Sequence, residues 1–374
     1  MTRALPSAGG RHSALFEASG HPQARPASRS LMVVPRFSSI SELEEFLASN
    51  ADGMAADILR HASDSRERRQ SQAAEVADTI RSEWSDGLDM LDAAVFAMGQ
   101  HGLFMLNRLD EVDRDSPNDS HQIVRIVLAL LQFSATITLQ EIRTLLEAGF
   151  WSAGAARWRA LHELAVTAKL VAGWGPTLAQ RYMDHGYVVQ TRRLKAYFDE
   201  HGVGPVAPTE LDARMVQTKA LETKHSLPGE AHRFRDPYGW ALTLMPLTSK
   251  GRRVRPTMDE LEKLADLDHR RLLVASSHGV VHADSGGIAG VVLLEDGLWL
   301  AGPTERFIET VARPTLDTLI HLVAATHLGF EDELNNSAEK LALFASGTMS
   351  LCRDAISKFD RDGESSEIPP AARE

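Results

Sequence analysis

A mainly α-helical fold, a multi-helix bundle with one small β-hairpin, is predicted by three observations. Apolar residues recur at helical spacing through most of the chain, as in Ile80, Trp84, Leu88, Leu91, Val95 and Met98. Helix-start patterns precede such runs. A single stretch, Gly286 to Pro303, reads instead as two strands around the acidic turn Glu295-Asp296-Gly297.

Residues 1–37 carry five Arg and one acidic residue among Ser, Ala, Gly and Pro, with no periodicity that could bury a face, and read as a disordered tail. Ser41-Glu42-Leu43-Glu44 has the capping-box pattern and should open the first helix. A longer periodic run over about 72–114 completes an N-terminal helical lobe, 38–118. Residues 119–330 form the central helical domain. Ile123 to Gly173 gives two or three helices apolar on most faces. Thr177 to Glu200, Glu210 to His225, Met258 to His282 and Glu305 to Leu328 give the rest, with Pro314 kinking the last. The hairpin near 286–303 is too small to stand alone and must lie on the helices. A C-terminal helix fills 331–358, and 359–374 is a second loose tail.

The 374 residues hold 40 basic and 51 acidic side chains and are 43% hydrophobic, which excludes a fibrous or wholly disordered chain. Arg outnumbers Lys 32 to 8, which suits a GC-rich bacterial genome. The net charge of −11 disfavours wholesale coating of nucleic acid. One basic run, Lys250-Gly-Arg252-Arg253-Val-Arg255, with Arg270 and Arg271 beyond it, could still track RNA or another polyanion. The single cysteine, Cys352, excludes an intrachain disulfide framework and points to a reducing, cytoplasmic setting. The longest apolar stretch, Ile123 to Phe133, is interrupted by Arg125 and Gln132, which argues against membrane spanning.

Chemistry-bearing residues fall into three groups. On Ala155-Ala-Arg-Trp-Arg-Ala-Leu-His-Glu, Arg157, Arg159, His162 and Glu163 lie within two turns of an otherwise apolar helix. Arg159 and Glu163, one turn apart, should pair, and removing Glu163 should cost more stability than any other substitution here. These four either bind an anion with His162 or Glu163 as acid or base, or form a buried network that fixes helix register. Arg181 and His185 repeat the pattern one helix later. Arg271, His278 and His282, spaced by seven and four residues, share one helical stripe on which two imidazoles could serve as acid and base and the guanidinium could stabilise an anion. This Arg-to-His spacing loosely resembles that of HEPN-type helical ribonucleases.

No metal and no cofactor are expected. Gly279 stands where a zinc-protease helix carries its Glu, and the sole Glu-x-x-His motif, Glu222-Thr-Lys-His225, lacks the second copy that a di-iron bundle needs. No phosphate loop, nucleophile elbow or dinucleotide fingerprint occurs.

Five segments together resemble a bacterial family called domain of unknown function 5677: Glu141-Ile-Arg-Thr-Leu-Leu-Glu-Ala-Gly, the Ala-Arg-Trp-Arg-Ala-Leu-His-Glu block, Arg181-Tyr-Met-Asp-His185, Tyr238-Gly-Trp-Ala241 and Ser276-Ser-His-Gly-Val-Val-His282. The resemblance covers about Gln122 to Phe330. It implies a mostly helical bacterial protein whose motifs meet at a common site, and it implies no reaction.

The functional expectation is a metal-independent phosphodiesterase or ribonuclease, acting as a toxin or phage-defence effector. His278, His282 and Arg271 would be catalytic, and Arg157, Arg159, His162, Glu163, Arg181 and His185 would bind substrate. The alternative is a non-catalytic helical binding or scaffold protein in which the same cluster is structural. A homo-oligomer is a further expectation, with dimerisation of the scaffold form through the N-terminal lobe.

Overall fold

The computed structural model describes residues 39–115, 120–228, 233–268, 293–295, 298–300, 302–330 and 336–366. The expected tail 1–37 and the Arg271, His278 and His282 stripe lie outside these residues. The chain divides into two compact units, Met1–Ser65 and Arg66–Glu374.

The described part of the first unit is the beginning of helix α1 (Ile40–Glu83). The capping residue is Ser39, not Ser41: its hydroxyl accepts from the Glu42 backbone N–H at 3.2 Å. Ser39-Ile40-Ser41-Glu42 has the same Ser-x-x-Glu spacing two residues earlier, and capping there lengthens the helix.

In the second unit, the run expected over 72–114 is two helices. They meet at Trp84, where α1 ends and α2 (Ser85–Asp115) begins. Trp84 accepts and donates across this junction, from its N–H to Ile80 O at 2.8 Å and from Leu88 N–H to its carbonyl at 2.9 Å. Ile80, Trp84, Leu88, Leu91, Met98 and Met105 are buried in one core with α3 (Gln122–Glu147) and α4 (Trp151–Trp174). Residues assigned to the 38–118 lobe thus share the core of the central helices.

α3 packs between α2 and α4, and α8 (Ile308–Leu328) lies against α4 and α9 (Asn336–Ser366). Pro314 sits inside α8, and its carbonyl accepts from Thr318 Oγ1 at 2.6 Å. α9 continues to Ser366, past the expected end at 358. Phe359 holds it there, fully buried, its ring 6.1 Å from that of Trp84. α3 is long and apolar enough to cross a membrane by length and composition, and 61% of that window is buried in the protein. Arg125 and Gln132, the polar breaks in its sequence, both point inward and are buried.

The turn between α3 and α4 depends on Gly149 at φ +77°, where an added Cβ would come within 2.9 Å of the Thr304 backbone nitrogen. α5 (Pro176–His201) and α6 (Pro208–Lys224) follow, each opened by Pro in its first turn. The helix expected over Met258–His282 ends much sooner, as α7 (Met258–Leu264). Its stop is a Schellman motif: Leu267 N–H bonds to Glu262 O at 2.9 Å, Asp266 N–H bonds to Lys263 O at 3.1 Å, and Asp266 is left-handed at φ 53°. Periodicity alone ran through this stop because Asp, unlike Gly, does not announce it.

Leu293–Glu295 and Leu298–Leu300 pair antiparallel, with Leu293 opposite Leu300. The remainder of the stretch assigned to the hairpin, apart from 302–303, lies outside the described residues. The fold class is mainly α.

Candidate functional site

α4 carries Arg157, Arg159, His162 and Glu163, but not as one buried set. Arg157 turns toward α3 and pairs with Glu141. Arg159 meets Glu163 at 3.5 Å, in a pair whose carboxylate is 38% exposed. The prediction that Glu163 anchors a buried network is therefore corrected: water screens this pair, and exposed pairs contribute about 0–1 kcal/mol.

The buried carboxylate is Glu262 on α7. His162 and Glu262 are each 1% exposed, with imidazole Nε2 3.2 Å from Oε1. A carboxylate can only accept, so Nε2–H donates. Nδ1 of His162 and Oε2 of Glu262 are buried without a hydrogen-bond partner, as are Arg157 Nε and Arg159 Nη1. The Trp158 ring lies 5.7 Å from the imidazole, and its N–H donates to Thr318 Oγ1 at 3.1 Å, which fixes α4 against α8.

The sequence placed Glu262 in what reads as an acidic surface run, Asp259-Glu-Leu-Glu262-Lys. The available signal was spacing: Met258, Glu262 and Ala265 share one stripe of α7, and Ala265 is buried.

Arg181 on α5 is buried for a different purpose. Its guanidinium donates to the carbonyls of Trp240 at 2.9 Å and of His225 and Gly239 at 3.3 Å each, and lies 5.1 Å over the Phe234 ring. Burial lowers its pKa, and nearby Arg253 adds to the effect. His185 lies against backbone too, with Nε2 3.0 Å from the Asp236 carbonyl, and burial lowers its pKa. Between them on the helix, Asp184 receives His225 Nε2 at 2.6 Å, Lys224 Nζ at 3.0 Å and Gln180 Nε2 at 2.8 Å. Burial alone would raise the Asp184 pKa, but these bonds, led by His225, outweigh it and hold the carboxyl below its ordinary range. Arg181 and His185 therefore clamp backbone, and they do not face the His162–Glu262 pair.

Tyr238-Gly-Trp-Ala connects the two clusters. Gly239 and Trp240 surrender their carbonyls to Arg181, while the Tyr238 hydroxyl has its pKa raised by burial and then by Glu163, with Glu262 adding and Arg159 opposing. Tyr238 is left-handed at φ 60°. Gly239 is obligatory, since a Cβ there would lie 2.2 Å from the Phe234 carbonyl oxygen. Its turn thus orients Tyr238 toward the polar side of α4.

The basic run is partly built into this frame. Arg253 Nη1 donates to Met245 O at 2.6 Å and Thr243 O at 3.1 Å, and its own carbonyl accepts from Arg233 at 2.7 Å. Lys250, Arg252 and Arg255 are exposed. Among the described residues no three His, Cys, Asp or Glu side chains converge as a metal site requires. A groove of about 580 Å³ lies elsewhere, lined by Arg193, Leu194, Tyr197 and Val203.

The class defined by this frame is a helical domain in which a 3-10 turn joins a backbone clamp to a buried His–Glu pair. Residues 125–297 match the model of a family of unknown function (DUF5677). No curated protein and no solved structure matches the chain.

Proposed function

We propose that the protein is a metal-independent phosphodiesterase or ribonuclease whose described machinery centres on His162 and Glu262. The observation that carries the reading is a contrast between the two buried clusters. The Arg181 clamp directs its donors to three backbone carbonyls, whereas the His162–Glu262 pair leaves one polar atom of each side chain buried and unpartnered. Buried orphaned groups cost about 1–3 kcal/mol each and mark sites where strain is retained for a task.

In this reading Glu262 orients the imidazole, and His162 Nδ1 takes the proton from an attacking water or ribose hydroxyl as its oxygen bonds to phosphorus. Arg159, with one N–H unpartnered, holds the non-bridging oxygens. The leaving oxygen departs with a proton from an acid, a role proposed for His278 or His282, with Arg271 as a second cation. RNA or another polyanion is the proposed partner, reached through exposed Lys250, Arg252 and Arg255. The paired segments Leu293–Glu295 and Leu298–Leu300 are read as the tip of the small hairpin, and the setting as the cytoplasm of a bacterium.

The second reading, a non-catalytic binding or scaffold protein, is favoured by the 1% exposure of both His162 and Glu262, which closes the pair to solvent. Cleavage of labelled RNA and DNA by purified full-length protein separates the two. Wild type should cleave with or without EDTA, while His162→Ala, Glu262→Gln, His278→Ala and His282→Ala should each lose roughly a hundredfold or more with helical circular dichroism intact. Absence of cleavage, or activity surviving in all four variants, assigns the cluster to the scaffold.

A further inference from the structure

α2 and α3 are apolar on the side turned away from the core as well as on the side facing it. On α2 the outward stripe is Phe96, Gly99, Leu103 and Leu106, spaced three, four and three residues apart. On α3 it is Ile126, Leu130, Phe133 and Ile137, spaced four, three and four. Phe96 is 66% exposed, Leu103 51%, Leu106 41%, Leu130 50% and Ile137 58%. The two stripes are adjacent: a Cβ on Gly102 would meet the Phe133 ring at 3.1 Å, and Gln132 Nε2 bonds to Met98 O at 3.0 Å.

Charge is missing from this face. Ala93–Asn107 on α2 and Ile126–Gln140 on α3 are 15 residues each without Asp, Glu, Lys or Arg, in a chain that is 24% charged. Charges return at both ends. Arg143 reaches Asp92 at 2.8 and 2.9 Å at one, and exposed Asp110 lies beyond the other. Depletion of charge at a centre bounded by polar groups is the composition of an interface core.

We propose that this α2–α3 face is the interface of a homodimer, in which two copies set their helix pairs together as a four-helix bundle. The three-four spacing on both helices is that of a knobs-into-holes seam, and a surface made of two antiparallel stripes is able to complement itself about a two-fold axis. The size fits. Two 15-residue windows span about 22 Å by roughly 20 Å, and the accessible area of so ridged a face approaches the roughly 800 Å² per partner of a stable complex. A lipid surface would need a broader apolar face than a seam flanked by Gln100, Asn107, Ser134 and Gln140.

Light scattering and sedimentation of the full chain over a range of concentrations test this. Wild type should be a dimer, and Leu103→Glu and Ile137→Glu should each yield a monomer with unchanged circular dichroism, because both side chains already face water in one copy. Gly99→Cys supplies an independent readout. A Cβ there meets nothing within 4 Å, and Cys352 is buried, so mild oxidation should link two copies through this position alone. The proposal is overturned by a wild type that stays monomeric, or by a dimer that both Glu variants leave intact. It is equally overturned by a monomer that dimerises only when residues 1–37 are deleted, which would make that segment the occupant, or by a monomer that floats with lipid vesicles.

Discussion

At the scale of single residues, the two carboxylates flanking His162 differ in what surrounds them. Glu262→Ala removes the acceptor from a fully buried imidazole N–H and should cost about 1–3 kcal/mol in urea unfolding. Glu163→Ala, at a 38% exposed side chain, should stay within about 1 kcal/mol of wild type. If the two losses come out in the opposite order, the placement of the buried pair is wrong. Arg181→Lys should be more damaging than the retained charge suggests, by about 3 kcal/mol, since an ammonium cannot reach three carbonyls in the plane of a guanidinium. The sequence identified His162 and Arg181 as polar groups on apolar helices, and that much followed from spacing. Their partners are 100 residues away for His162 and 58–59 away for Arg181 on Gly239 and Trp240, so no local pattern could name them.

At the scale of elements, two stops matter most. α7 ends because Asp266 accepts a left-handed conformation that favours glycine. Asp266→Gly should therefore raise stability by about 0.5–1 kcal/mol, measured as a shift of the denaturation midpoint at constant m-value; a loss would mean that the Asp side chain itself supports the turn. Gly239 has the opposite sensitivity. Gly239→Ala drives a Cβ against a backbone carbonyl, and the turn can yield only by withdrawing the carbonyls that Arg181 holds. That variant should lose thermal stability together with the near-ultraviolet signal of buried Trp240, and a wild-type melt would exclude the turn as the link between clusters.

At the scale of the whole molecule, acid sensitivity is concentrated in the core. His101 is fully buried on α2 beside Gln132, whose amide nitrogen is committed to Met98. Burial pushes its pKa from 6.5 down to about 4, with neighbouring His327 adding to the effect and Gln132 offsetting part of it. The unfolded chain binds this proton before the folded one does, so stability falls as pH drops from about 6.5 to about 4, by on the order of 3 kcal/mol. His185 and His225, with pKa values lowered chiefly by burial, act in the same direction, and so does Asp184, whose depressed pKa makes its contribution vanish on acidification. Melting temperature against pH should decline through this window, and His101→Gln should flatten the decline. A flat wild-type profile would show that His101 titrates normally and is open to water.

By itself the sequence determined that the chain is helical, where most helices lie, and which polar residues sit on apolar ones, because a helical stripe is written in residues three and four apart. Only the tertiary structure decided that Arg181 holds backbone while His162 faces Glu262, and that Ser39 rather than Ser41 caps α1. It also decided that α7 stops at Asp266 and that Phe359 anchors α9 beyond its expected end. The outcomes for Arg181, His162 and Phe359 share one physical cause. The same local signal, a charge on an apolar helix or an aromatic in a polar tail, serves burial or exposure according to what a distant segment places against it. Desolvation is a property of the packed interior and has no period along the chain.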